Sequence, residues 1–152
     1  MARANAKPDG RGRNTRPAPS RIGGRIGRVL VVEDDVILSL SIEQALLDAG
    51  ASDVEICPTT DKALEALRAR KVDAIVLDVH LADRDDGWAI AELVAGIGPK
   101  PPRIVFSTGA PQDIPADIAG LGTVLPKPYE PEELVAAIGT PAKKGLLERL
   151  KR

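Results

Sequence analysis

Hydrophobic residues along this chain gather into runs of two lengths that alternate. Five runs are short and apolar-rich: Val29–Val32, 54–56 (VEI), 73–78 (DAIVLD), 103–107 (RIVFS) and 123–125 (TVL). Runs of this size and composition suit strands covered on both faces. The stretches between them space their apolar residues as helices do. Ile37, Leu38, Ile42, Ala45, Leu46 and Ala49 predict a helix from Val36 to about Ala49, with Gly50 as its stop. Thr59 or Thr60 can cap a second helix over 61–70, with Ala63, Leu64 and Leu67 inward. A polar loop at 82–86 precedes a third helix over about 87–96. Pro111 and Pro115 keep any helix within 109–121 short. Pro131 opens a last helix running to about Ile138. Strand and helix alternate five times. That order predicts an α/β fold: a doubly wound, five-stranded parallel sheet with helices on both faces.

The ends differ from the body. Residues 1–27 are rich in Arg, Gly and Pro, with little to bury, and are expected to be a disordered basic tail. The fold is expected to occupy 28–140. The remainder, 141–152, reads as a basic tail or a short amphipathic helix carrying Leu146, Leu147 and Leu150. Charge follows the same division. Residues 1–28 carry +7 and 143–152 carry +4, so 29–142 must carry −12 to leave the net −1 of the whole chain.

Composition removes several functions. With one cysteine, Cys57, and one histidine, His80, neither a disulfide framework nor a Cys- or His-rich zinc site can be built. Aromatic residues make up 2% of the chain, too few for a base-stacking surface. No apolar run approaches the ~20 residues of a membrane span, and the N-terminus lacks the apolar core of a secretory signal. A cytoplasmic location is expected, with neither nucleic acid nor membrane as partner.

In a doubly wound sheet, ligands bind beyond the carboxyl ends of the strands, where the strand order reverses. The sequence places Glu33, Asp34 and Asp35 after the first strand. Asp78 ends the third, Ser107 and Thr108 end the fourth, and Lys127 follows the fifth between Pro126 and Pro128. Carboxylates brought together there repel, by about 4 kcal/mol per pair at ~4 Å and an effective dielectric of ~20. Mg2+ would relieve that repulsion, since it accepts carboxylates and fills its remaining positions with water and phosphate oxygens. A phosphoryl group joining the ion could accept a hydrogen bond from the Thr108 hydroxyl and pair with the Lys127 ammonium. Asp78, ending a central strand, is the candidate nucleophile. Asp35 is expected to serve as a helix cap and Ser107 to be structural.

No single one of these residues is diagnostic. Their order is: the acidic pair, 44 residues to Asp78, 30 to Thr108 and 19 to Lys127. In this arrangement the chain resembles the receiver domains of response regulators in two-component signalling, over about 28–140. The resemblance implies that Asp78 in VLDVHL is the phosphoacceptor. It further implies that Asp34 is a direct Mg2+ ligand with Glu33 beside it, that His80 offers the ion its backbone carbonyl, and that the Lys127–Pro128 bond is cis. The segment Phe106-Ser107-Thr108-Gly109-Ala110-Pro111 is similar to the Phe-Ala-Thr-Gly-x-Tyr stretch of stand-alone receivers. The phosphoryl donor implied is a histidine kinase or phosphotransfer protein. The dozen residues after 140 are too few for an output domain, so the signal is expected to leave by contact with a downstream protein or by phosphate shuttling. No turnover of an external substrate is expected. The chain departs from the family at Val124 and Pro111, where switch aromatics usually stand. A non-phosphorylated receiver-like interaction module is the alternative. A phosphohydrolase with an aspartyl intermediate would want a second acid two residues after Asp78, and His80 stands there.

Overall fold

A computed structural model describes residues 26–79 and 87–139. These build one five-stranded sheet, all pairings parallel, from β1 (Arg28–Val32), β2 (Asp53–Cys57), β3 (Ala74–Asp78), β4 (Arg103–Thr108) and β5 (Thr123–Pro126), ordered β2-β1-β3-β4-β5. The helices are α1 (Val36–Asp48), α2 (Thr60–Ala69), α3 (Gly87–Ala95), α4 (Ala116–Ala119) and α5 (Pro131–Gly139). The predicted fold class and element order are those observed. The tails 1–25 and 140–152, together with the loop 80–86, lie outside the described residues, so the expectations placed on them are not addressed.

The unbroken apolar runs make sense once the pleat divides them. Side chains along a strand alternate between faces. Leu30, Val32, Ile75, Leu77, Ile104 and Phe106 pack with α2, α3 and α4 in one core. Val29, Val31, Ala74, Val76 and Val105 pack with α1 and α5 in the other. β1 and β3, both interior strands, are buried at every residue and contribute to both cores.

Local chemistry sets the ends of the elements. Asp35 caps α1 by accepting a bond from the Leu38 amide at 3.0 Å, as expected, and Gly50 follows the helix at φ +106°. Thr59, the first of the two candidate caps, accepts from Lys62 N at 3.2 Å. Between Pro111 and Pro115 there is room only for a single 3-10 turn, and α4 is four residues long. Gly122 permits β5 to approach β4, because a Cβ there would stand 2.3 Å from the Ile104 carbonyl oxygen.

One apolar residue of α1 faces outward, and one inward assignment in α2 needs correction. At 100° per residue Ile37 falls well away from the stripe of Ser39, Ile42 and Leu46 that α1 buries, and it is 83% exposed. In α2 the small Ala66 takes the fully inward position alongside Ala63, leaving Leu64 half-buried.

Candidate functional site

β1 and β3 are neighbours in the sheet, but the chain leaves them in opposite directions: to β2 at one edge, to β4 and β5 at the other. The crevice therefore opens at their carboxyl ends. Register fixes what meets there. Asp78 pairs with Ser107, Thr108 pairs with Pro126, and Lys127 follows directly. The Lys127 amide donates to the Thr108 carbonyl at 2.7 Å, continuing the ladder one residue past the strand. The Lys127–Pro128 peptide is cis.

The predicted side chains converge. Lys127 Nζ donates to Glu33 Oε2 at 3.0 Å and to Asp78 Oδ2 at 3.3 Å. Carboxylate oxygens of Glu33, Asp34 and Asp78 all lie within 4.8 Å of one another. Glu33 and Asp78 are buried, whereas Asp34 is exposed and opens the cluster to solvent. Glu33 also accepts the Asp35 amide at 3.1 Å on its other oxygen, so the residue that caps α1 helps to orient the buried acid.

Among the described residues, three acids stand near one ammonium, a local surplus of negative charge. Burial pushes the Glu33 carboxyl up to about 7; the bonds from Lys127 and the Asp35 amide oppose that rise, and the neighbouring Asp78 charge adds to it. Burial alone would lower the Lys127 pKa. The bond to Glu33 and the charge of Asp78 outweigh burial and raise it, so the ammonium keeps its proton. Mutually close hard oxygen donors, one of them open to water, fit a divalent cation of the Mg2+ type.

Thr108 is fully buried, and its hydroxyl accepts the Ala110 amide at 3.0 Å. The hydroxyl proton remains available for donation. Ser107, expected to be structural, shares a 2.8 Å hydrogen bond with the Tyr129 hydroxyl, tying the end of β4 to the segment after Pro128. Tyr129 packs against the core shared by α1 and α5, and burial raises its pKa despite the Ser107 bond. His80 lies outside the described residues, so its carbonyl is not placed.

Sequence reasoning missed one feature. A groove of about 350 Å3 runs beside Lys127 between α1 and the β5–α5 connection, bordered by Ile37, Leu38, Pro128 and Tyr129. The signal for it was the poor fit of Ile37 to the buried stripe of α1.

Comparison with known proteins agrees with this geometry. The family model described as response regulator receiver domain matches residues 29–139. The chain is 34% identical over 128 residues to the response regulator MprA of Mycobacterium tuberculosis, covering 82% of this chain and 52% of that protein. It thus spans about half the length of the curated relatives it matches. A response regulator receiver protein from Sinorhizobium medicae superposes with a TM-score of 0.60 at 28% identity, covering 73% of this chain and 90% of that one. A response regulator from Burkholderia pseudomallei, solved with a phosphorylated aspartic acid, a calcium ion and citrate, gives 0.63 at 24% identity, covering 81% and 72%. At that identity it supports the fold alone.

Proposed function

Because the chain belongs to the response regulator receiver domain family, we propose that it accepts a phosphoryl group on Asp78 from a histidine kinase or phosphotransfer protein, in a Mg2+-dependent step. The observation that carries this reading is the convergence of Lys127 on both Glu33 and Asp78, within a cluster of three acids, at the switch point of the sheet.

The chemistry asked of the chain is modest. An Asp78 carboxylate oxygen attacks phosphorus and the new P–O bond forms. The P–N bond of a phosphohistidine, or the P–O bond of an acyl phosphate, breaks in line with it. The leaving group departs with the electron pair; an imidazole then holds its proton from water. In a loose transition state most of the work is positioning and charge neutralisation. Lys127 supplies an ammonium beside the attacking Asp78 carboxylate. The Thr108 hydroxyl can donate a hydrogen bond to a phosphoryl oxygen. Glu33 and Asp34, with Asp78, would hold the ion, which when bound neutralises charge on the phosphoryl oxygens. The group is stored on Asp78 and later lost to water, with no external substrate turned over. The signal passes on through protein contact or onward transfer.

The test is intact mass after incubation with acetyl phosphate and Mg2+. One added phosphoryl group is expected on the wild type, with none in EDTA and none on Asp78→Ala. A gain that persists in Asp78→Ala overturns the assignment. A second reading, a receiver-like module that binds partners without phosphorylation, draws on Val124 and Pro111 at the positions where the family's aromatics stand. No mass gain and no Mg2+ binding would favour it.

A further inference from the structure

The opposite pole of the molecule is charged the other way. A cavity of about 350 Å3 opens at the amino ends of β3 and β4, between the end of α2 and the segment after α3. Arg68, Arg70, Lys71 and Lys100 line it. Arg70 stands 3.6 Å from Asp53, whereas Arg68, Lys71 and Lys100 have no carboxylate within ion-pair distance among the described residues. Its floor is apolar: Leu67, Val72, Pro102 and Ile97, the last 41% exposed.

Ile26 and Ile138, near the two limits of the described residues, are tied together at this pole by one side chain. Arg103 Nη2 donates to the Ile26 carbonyl at 2.8 Å and Nη1 to the Ile138 carbonyl at 2.7 Å. The segment joined at Ile26 holds seven Lys/Arg against one Asp in 1–25. The segment joined at Gly139 holds five against one Glu in 140–152, interleaved with Leu146, Leu147 and Leu150. Among the described residues, Arg68, Arg70, Lys71 and Lys100 are the exposed cations gathered at this cavity.

We propose that this amino-end face docks on an anionic lipid surface, with the cations over the headgroups, the exposed Ile97 side chain against the interface and Asp78 directed away from it. Lipid is favoured over nucleic acid because the cations are interleaved with apolar side chains. A phosphodiester backbone makes no use of those, whereas an interfacial layer does. The scarcity of aromatic rings removes base stacking as a contribution. The absence of a spanning run, on which the expectation of no membrane partner rests, does not bear on surface contact. Nothing here depends on phosphoryl transfer at Asp78, so the two readings can fail separately.

The test is co-sedimentation of the 152-residue chain with phosphatidylcholine vesicles containing about a third phosphatidylglycerol. Binding is expected at low salt, to fall as salt rises, and to be absent on pure phosphatidylcholine. Each cation near such a surface is worth about fivefold in partitioning, so Arg68→Gln/Lys71→Gln/Lys100→Gln should weaken binding about a hundredfold. These three side chains are exposed, and an unchanged thermal melt would establish that the variant folds. Ile97→Ser should weaken vesicle binding severalfold and leave binding to duplex DNA unchanged. No binding to the anionic vesicles, equal binding to neutral ones, wild-type binding by the triple variant, or tighter binding to duplex DNA at equal phosphate would each overturn the proposal.

Discussion

The two rims of the sheet handle buried charge in opposite ways. At the amino end, Arg28 is buried, donates to Asp53 Oδ2 at 3.1 Å and pairs with Glu55. Its amide donates to Asp73 at 2.8 Å, and only its Nη1 lacks a partner among the described residues. Arg103 spends its guanidinium on two backbone carbonyls. The buried charge there is matched by the chain itself, while the exposed Arg68, Lys71 and Lys100 are not, among the described residues. At the carboxyl end, among the described residues, Glu33 and Asp78 share one lysine and Asp34 lies close beside them. Matched charge fastens a fold, whereas charge left in surplus is a standing capacity to bind something of the other sign.

The largest effect should come from removing charge at the matched rim. Arg28→Ala forfeits two charge-assisted bonds and the packing of a buried stem. The acids left behind are half-exposed and can be rehydrated, which limits the cost to about 2–3 kcal/mol. Chemical denaturation would measure it, and a loss below about 0.5 kcal/mol would erase the contrast between the rims.

The pH dependence of the surplus rim comes next. Glu33 titrates at about 7 in the folded chain against 4.5 as an ordinary glutamate, so between those values the folded state binds more protons than the unfolded. Stability should therefore fall as pH rises from 4.5 to 7, by about 1–3 kcal/mol in metal-free buffer from this group. Denaturation at pH 5 and pH 8 in EDTA checks it, and Glu33→Gln should flatten the slope in that window.

The smallest effect has the opposite sign to the first. Asp78→Asn removes one of the crowded charges while Lys127 keeps Glu33, so without metal the variant should be about 1 kcal/mol more stable than the wild type. Destabilisation instead would mean that the rim is balanced after all.

Much of this was legible in the sequence, for identifiable reasons. The buried runs of β1 and β3 announced a covered parallel sheet. The acids, Asp78, Thr108 and Lys127 followed strand ends in an order that the topology then gathered to one rim. What stayed hidden depended on three-dimensional placement. Ile37 matched the apolar count of α1 yet points outward. Arg28 reads as the first residue of an ordered segment, and only the register of β1 with β2, which sets Arg28 opposite Asp53, reveals a buried guanidinium. The basic pole could not be read as a unit, because its cations are scattered from Arg28 to Arg103 and meet only where three segments enter the sheet.

The thermal melt with and without Mg2+ tests most directly whether the carboxyl rim carries more negative charge than the chain can match. Millimolar Mg2+ should raise the midpoint of the wild type by several degrees, since a ligand bound only to the folded state stabilises it. The same addition should leave Asp34→Asn/Asp78→Asn unmoved. An equal rise in both proteins, or none in the wild type, would contradict a cation site at Glu33, Asp34 and Asp78.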